Sequence, residues 1–276
     1  ALLYLQYVPH TNSHRETCVS SLKYKSNKEF HMFVSHDTYK NSVFSENLYI
    51  CSGGYVMKTN RLVIRNLLLC GITSLAISSW SSVLTNVENA DRPETDIARD
   101  AGRKPGQVVQ FLGLEEGAVA IDLMALGGYY TEILSHAVGT QGTVYAQNAP
   151  MMLEFRDGYY GKLLTERLDQ NRLANVIRID RDMDDLGIPP GSVDLAITAL
   201  NFHDIYNGAG EEAALQFLSN VAVLLKAGGV LGIIDHAGNT GVDNNSLHRM
   251  EESVISGLIG KSEFRLDGAS DILRSA

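Results

Sequence analysis

Residues 117–132 read Gly117-Ala-Val-Ala-Ile-Asp122-Leu-Met-Ala-Leu-Gly127-Gly128-Tyr-Tyr-Thr-Glu132. The apolar run before Asp122 predicts a strand of a parallel sheet, because strands covered on both faces are apolar without alternation. Ligands of such sheets bind at the carboxyl ends of the strands, where Asp122 lies. The paired glycines let the backbone approach a ligand closely, ahead of a helix whose first N–H groups attract polar groups. The segment therefore predicts a crevice for a nucleotide cofactor.

Strands alternate with helices from Asp91 onward. The strands are predicted near Val119–Met124, Thr143–Asn148, Val176–Ile179, Val193–Leu200 and Val230–His236. The helices are predicted at Tyr129–Ala137, Met151–Arg172, Glu211–Leu225 and Leu247–Leu258. This alternation is typical of an α/β fold with a Rossmann-like, doubly wound, mainly parallel sheet. Only Glu263–Leu266 follows as a candidate strand, so we expect the last, C-terminal strand of the sheet to be missing.

The charge of the chain argues against a nucleic-acid partner. The 276 residues carry a net charge of −9, and residues 91–276 hold 27 acidic against 15 basic side chains. Binding to phosphate backbones depends on Lys and Arg, so a small-molecule substrate is favoured. All three cysteines precede residue 91, which leaves the predicted domain without a disulfide framework or a thiolate metal site. We expect no metal site elsewhere.

The first 90 residues do not resemble the rest. Residues 57–90 begin with Met57, three basic residues and the apolar run Leu67–Ile77, and we interpret them as a signal peptide and linker. This predicts export, to the periplasm, although an uncleaved membrane anchor is also consistent with the segment. Residues 1–56 are interpreted as an upstream-translated or fused extension, disordered and outside the domain of residues 91–276.

Four more polar segments follow predicted strands. They are Gln147-Asn148, Asp182-Met183-Asp184-Asp185-Leu186, Asn201-Phe202-His203-Asp204 and Asp235-His236. The carboxyl ends of parallel strands meet at one edge of a sheet, so we expect these groups to lie around the same crevice as Asp122.

With these segments, residues 91–276 resemble a class I S-adenosylmethionine-dependent methyltransferase. The resemblance rests also on Gly139-Thr-Gln-Gly142-Thr-Val-Tyr-Ala and Leu224-Leu-Lys-Ala-Gly228-Gly229. Residues 91–105 and the segment Asn201-Phe-His203-Asp204 are similar to a mostly uncharacterised bacterial group of these enzymes that often carries signal peptides.

The resemblance implies S-adenosylmethionine as the cofactor and a set of residues that hold it. These are Asp122 at the methionine amino group, Gly127 and Gly128 in the turn, Asn148 at the ribose, and Asp182 with the backbone N–H of Met183 at the adenine. Met124 and Leu126 stand where the family usually has glycine, and their side chains would crowd the methionine moiety.

Methyl transfer to a hydroxyl needs a base for the acceptor proton. His203 is the first candidate, because the ordinary pKa of histidine, near 6.5, suits that task. Asp204 would orient its imidazole or hold the acceptor, and His236 is the second candidate base. His248, which opens a predicted helix, is interpreted as a solvated capping residue.

Two other functions are consistent with the sequence. The loss of turn glycines is consistent with a non-catalytic module of the same fold that binds a nucleoside or metabolite. A nicotinamide-dependent oxidoreductase is less well supported, because the Gly-x-Gly-x-x-Gly fingerprint is absent.

Overall fold

A computed structural model describes residues 2–9 and 83–274. Within these residues, the strands are β1 (Leu2–Tyr7), β2 (Val119–Leu123), β3 (Thr143–Asn148), β4 (Val176–Asp180), β5 (Val193–Ala199), β6 (Leu225–Ile234) and β7 (Phe264–Ser270). The helices are α1 (Glu94–Arg103), α2 (Pro105–Phe111), α3 (Tyr129–Val138), α4 (Pro150–Leu168), α5 (Phe202–Leu224) and α6 (Glu252–Gly260), with residues 83–88 also helical. The described residues all belong to one unit of the chain.

The strands form one sheet in the order β4-β3-β2-β5-β6-β1-β7. The five strands from β4 to β6 are parallel, and β1 is antiparallel to both of its neighbours, β6 and β7. Strand order reverses between β2 and β5, the point at which doubly wound folds bind ligands. The predicted Rossmann-like, doubly wound, mainly parallel sheet is therefore confirmed.

Strand β1 corrects two expectations about the ends of the chain. Leu2–Tyr7 belong to the segment that we expected to be disordered, yet they form a strand inside the sheet. They also fill the place where we expected a strand to be missing, pairing with β6 on one side and β7 on the other. The physical reason is burial: Leu2 and Leu5 are fully buried, and the strand closes two edges that would otherwise be unpaired.

Helices cover both faces of the sheet. On one face, α5 and α6 pack over β2, β5 and β6. On the other face, α2 and α3 pack together with the helical residues 83–88, whose Val83 and Val87 are buried in the core. The end of the segment interpreted as signal peptide and linker therefore belongs to the domain, while residues 57–82 lie outside the described residues. Across residues 2–9 and 83–274, no helix has the length and apolar character needed to cross a membrane.

Candidate active site

The carboxyl end of β2 carries a buried acid. Asp122 is 3% exposed, and its Oδ2 accepts a hydrogen bond of 2.7 Å from the Thr131 hydroxyl in the first turn of α3. Burial raises the pKa of Asp122 to about 7, because desolvation disfavours the charged form. The hydrogen bonds from Thr131 and the charges of Arg167 and Arg103 act in the opposite direction. Asp122 thus lies at the strand end, as predicted, with little surrounding water.

The turn after Asp122 adopts a glycine-like backbone without glycine at two of its positions. Met124 and Leu126 both have φ of 53°, and Gly128 has φ of 80°. The left-handed region is unfavourable for residues with a side chain, because Cβ approaches the following carbonyl oxygen. The positions at which the family usually has glycine therefore keep the glycine conformation here.

Side chains at the end of β3 hold this turn. The N–H of Met124 donates to Oε1 of Gln147 at 3.0 Å, and the N–H of Leu126 donates to Oδ1 of Asn148 at 2.8 Å. The Asn148 amide also donates to the carbonyl of Leu126 at 3.3 Å, and the side chain is fully buried. Asn148 therefore binds the main chain of the turn, which differs from the predicted contact with a ribose. Asn148 lies at the strand end, as expected, but its side-chain amide is hydrogen-bonded to the main chain of Leu126.

The paired glycines lie close to side chains of α4. A Cβ on Gly127 would lie 3.0 Å from a terminal methyl of Leu163, and one on Gly128 would lie 2.9 Å from a terminal methyl of Leu164. Arg167, on the same helix, donates from Nε to the carbonyl of Gly127 at 2.7 Å. Gly128 also has φ of 80°, which disfavours a side chain at that position, so the fold itself favours glycine there in addition to the ligand approach for which the sequence suggested it.

Asp182 and Met183 follow β4 at the same edge of the sheet. The Asp182 side chain is exposed, and its carbonyl accepts from the N–H of Asp185 at 3.1 Å. Met183 is partly buried against the core face that α5 and α6 cover. The loop thus presents exposed carboxylates, that of Asp182 among them, beside the partly buried side chain of Met183.

His203 forms the best-defined polar pair of this edge. Its Nδ1 lies 2.5 Å from Oδ1 of Asp235, and its backbone N–H donates to Oδ2 of the same carboxylate at 2.8 Å. Both side chains are less than 5% exposed. Asp235, at the end of β6, therefore orients the imidazole. Asp204, which we expected either to orient this imidazole or to hold the acceptor, lies at the other ring nitrogen.

The other candidate residues surround the opposite side of the imidazole. Nε2 of His203 lies 3.2 Å from Oδ1 of Asp204, which is 2.8 Å from Nδ1 of His248. The ring of His236 is 6.2 Å from that of His203, centroid to centroid. The structure thus brings the three predicted catalytic residues together and adds His248, which contacts Asp204 instead of capping a helix.

The charges around the imidazoles move their pKa values in opposite directions. Burial alone would lower the pKa of His203, but the hydrogen bond and charge of Asp235, with the charge of Asp204, raise it above its ordinary value. Burial lowers the pKa of His236, and His203 and Arg249 lower it further against the effect of Asp235. The two rings are therefore not equivalent as proton acceptors.

Helix α5 begins at Phe202, but its backbone is not helical at Gly210, and the helix predicted from Glu211 follows that break. His203 and Asp204 therefore lie in the first turn of an additional helical segment and not in a loop. Asn201, just before the helix, donates to the carbonyl of Met124 at 3.2 Å and to that of Ala199 at 2.8 Å. This amide connects the imidazole cluster to the turn beside Asp122.

Sequence reasoning missed Asp235 and His248 as site residues. Asp235 has the same signal as Asp122, an acid at the end of a buried strand, but the adjacent His236 was chosen instead. His248 has no comparable signal, because it reaches Asp204 from a loop 44 positions away.

The chain matches no protein-family model and no curated protein. Among solved structures, a SAM dependent methyltransferase from Aquifex aeolicus is similar at 22% identity and a TM-score of 0.49, over 64% of this chain and 86% of that one. CrArsM, an arsenic(III) S-adenosylmethionine methyltransferase from Chlamydomonas reinhardtii, gives 18% and 0.41, over 53% and 51%. The YcgJ protein of Bacillus subtilis gives 13% and 0.44, over 58% and 67%. At these identities and scores, the chemistry of the site has to be read from its own residues.

Proposed function

We propose that this chain is an S-adenosylmethionine-dependent methyltransferase with a small-molecule acceptor. One observation carries the proposal: the buried pair of His203 and Asp235 lies at the same sheet edge as the buried carboxyl of Asp122, and Asn201, two positions before His203, donates to the carbonyl of Met124 in the turn after Asp122. An imidazole oriented by a carboxylate is the arrangement of a general base, and a buried acid next to a close backbone turn suits a charged cofactor.

The cofactor fits the site at its methionine and adenine ends. Asp122 has been brought by burial to a pKa of about 7, so a neighbouring ammonium group would stabilise its charged form. The exposed carboxylate of Asp182 suits the adenine amino group, and the backbone N–H of Met183 lies in the same loop. Asn148 is not oriented to bind the ribose hydroxyls, because its side-chain amide is hydrogen-bonded to the N–H and the carbonyl of Leu126. The ribose hydroxyls therefore need another partner.

S-adenosylmethionine supplies a methyl group on a sulfonium, which is already activated for direct displacement. The residues of the chain then have to position the acceptor and remove its proton. His203 is the base in this proposal and takes the hydroxyl proton at Nε2, while Asp235 holds Nδ1. Asp204, 3.2 Å from Nε2, is placed to accept a hydrogen bond from the acceptor. His236 is the second candidate base.

The acidic charge of the domain supports a small acceptor over a nucleic acid. Residues 91–276 carry 27 acidic and 15 basic side chains, which would repel a phosphate backbone. The fold itself does not specify the acceptor, because the same architecture supports many reactions.

Calorimetry with S-adenosylmethionine, S-adenosylhomocysteine and NAD tests the proposal. We expect both sulfur compounds to bind, and Asp122→Asn to weaken the binding of S-adenosylmethionine because its ammonium group loses a charged partner. His203→Gln should slow transfer to a hydroxyl acceptor by roughly 100-fold or more while leaving cofactor affinity nearly unchanged. Exposed Glu212 gives the control, since Glu212→Gln should change neither quantity. Binding of NAD alone, or equal losses of rate and affinity in His203→Gln, would contradict the proposal.

A non-catalytic binding module is the second candidate function. Two observations favour it: the engaged amide of Asn148 and the side chains of Met124 and Leu126 in the turn. Binding of S-adenosylhomocysteine without transfer to any tested acceptor would support this alternative. A Met124→Gly, Leu126→Gly double variant that binds the cofactor more tightly would show that these side chains crowd the turn. Unchanged affinity would remove that explanation.

We further infer that the protein is exported, as in the bacterial group with signal peptides that it resembles. The basic and apolar residues between Met57 and Ile77 support this inference. Cleavage before Val83 would separate β1 from the rest of its sheet, because Leu2–Tyr7 lie upstream of this segment, so we infer that the segment stays uncleaved in the folded protein. Cell fractionation of the protein with and without residues 57–77 tests it: equal periplasmic fractions would contradict export by this segment.

A further inference from the structure

Three side chains at the carboxyl edge present potential metal ligands towards one another. They belong to His203, Asp204 and His248, and one ligand atom from each lies within 4.8 Å of the others. Asp204 is central, because its Oδ1 is 3.2 Å from His203 Nε2 and 2.8 Å from His248 Nδ1. The cluster joins the first turn of α5 to the loop after β6, and its outer members are exposed to solvent.

The deepest ligand of this cluster is held in place independently of the others. Asp235 contacts Nδ1 of His203 at 2.5 Å and the backbone N–H of the same residue at 2.8 Å. A carboxylate on one ring nitrogen fixes the tautomer that leaves the other nitrogen with a free lone pair. Metal-ligating histidines almost always have such a partner. The buried imidazole therefore directs Nε2 towards Asp204 and His248.

We propose that His203, Asp204 and His248 form a binding site for a divalent transition-metal ion of the zinc class, with Asp235 as the residue that positions His203. Two imidazoles and one carboxylate favour zinc and its neighbours over magnesium and calcium, which prefer oxygen ligands. The ligand atoms need to converge to roughly 2.0–2.2 Å from the ion. Asp204 and His248, with side chains 55% and 72% exposed, have the freedom to make that adjustment.

Three protein ligands leave an open position, as in catalytic zinc sites. A bound ion would occupy the Nε2 lone pair, so His203 would act as the base only in the metal-free protein. With the ion in place, the ion would acidify an acceptor hydroxyl at the open position, and His236, the second candidate base, would take the proton. This last step rests on the proposed methyltransferase function. Metal binding itself does not.

Titration of the full-length, chelator-treated protein with zinc chloride tests the site. We expect the wild type to bind one ion per chain at these residues. His248→Ala and Asp204→Asn should each weaken the binding of that ion by about 10-fold or more, because each variant lacks one ligand. Both side chains are exposed, so neither variant removes part of the core. Asp235→Asn should weaken binding by about 10- to 100-fold through the orientation of His203.

A histidine outside the cluster provides the control. His136→Gln, on α3, should leave the affinity of this ion within about twofold, since His136 supplies no ligand to the proposed site. Cobalt substitution adds a spectroscopic readout, with visible bands expected in the wild type and lost in His248→Ala. Absence of zinc binding, equal affinity in wild type and His248→Ala, or loss of the ion in His136→Gln would overturn the proposal. None of these readouts requires methyl transfer, so the site and the proposed function can fail separately.

Discussion

At the scale of single residues, the turn after β2 shows how a local substitution is accommodated. Met124 and Leu126 keep a left-handed backbone although they carry side chains. Their N–H groups donate to Gln147 and Asn148, and the carbonyl of Met124 accepts from Asn201. These bonds hold the conformation that glycine would adopt without strain. The turn therefore keeps a glycine-like backbone at a conformational cost.

Leu126 provides a direct measure of that cost. We expect the free energy of unfolding of Leu126→Gly to be about 1 kcal/mol higher than that of Leu126→Ala. The reason is that alanine still has a Cβ in the unfavourable left-handed backbone region and glycine has none. Both variants remove the leucine side chain, so their difference isolates the backbone term. Urea unfolding monitored by circular dichroism gives the two values. Equal stabilities would mean that the turn is not strained at this position.

At the scale of elements, a buried ionic network joins α3 to the end of α4. Glu132 on α3 is fully buried and pairs with Arg167 and Arg172. Arg167 also reaches Asp96 of α1 at 2.8 Å and the carbonyl of Gly127. The network therefore places the glycine turn relative to the helices around it, and its charge state affects the stability of the site.

The stability of this network should depend on pH in a defined direction. Burial alone would raise the pKa of Glu132, but the neighbouring His136 at 3.7 Å, the hydrogen bonds from Arg172 and the charges of both arginines lower it from 4.5 to about 2. The unfolded chain thus binds a proton at a higher pH than the folded chain does. The contribution of Glu132, about 3 kcal/mol, is complete above pH 4.5 and is lost as the pH falls towards 2.

Urea unfolding of the wild type and Glu132→Gln between pH 3 and 7 tests this expectation. The variant should be less stable at pH 7, because it leaves the arginines without their buried partner, and the difference should shrink as the pH falls. Glu212→Gln, at an exposed position, should follow the wild type. If the free energies of unfolding of the wild type and Glu132→Gln differ by the same amount at every pH in this range, Glu132 is not the group that causes the pH dependence.

At the scale of the whole molecule, the sheet depends on a strand from the start of the chain. Strand β1 pairs with β6 and β7, and its side chains enter both core faces. The same β6 strand ends at Asp235, which orients His203. Loss of β1 should therefore affect the stability of the sheet from which the candidate site projects.

Leucine truncations compare the two strands at this end of the sheet. Leu5→Ala should lower the free energy of unfolding by about 2–5 kcal/mol, because Leu5 is fully buried and its removal leaves a cavity. Leu266→Ala on β7 is the matched control, since that side chain is 44% exposed and should cost much less. Thermal or urea unfolding measures both. A cost for Leu5→Ala no larger than that for Leu266→Ala would mean that β1 does not belong to the folded sheet in solution.

Local pattern predicted most of the parallel sheet, and it failed where the signal was ambiguous. Strand β3 has the predicted bounds, Thr143–Asn148, because turn residues flank its apolar run. The run Leu2–Tyr7 has the apolar composition of a strand buried on both faces, but six residues at a chain end did not indicate which sheet they would join. The start of α5 was missed because its first two turns contain Asn and Gly, which are weak helix formers.

The sequence by itself determined the alternation of strands and helices and the polar residues at the strand ends, because periodicity and spacing are local properties of the chain. Tertiary structure alone decided which of those residues meet. It paired His203 with Asp235 and Asp204 with His248, turned Asn148 towards the main chain of the turn, and inserted Leu2–Tyr7 between β6 and β7. Contacts between distant segments arise when apolar surfaces from different parts of the chain pack together in the core, and no single stretch of sequence specifies that packing.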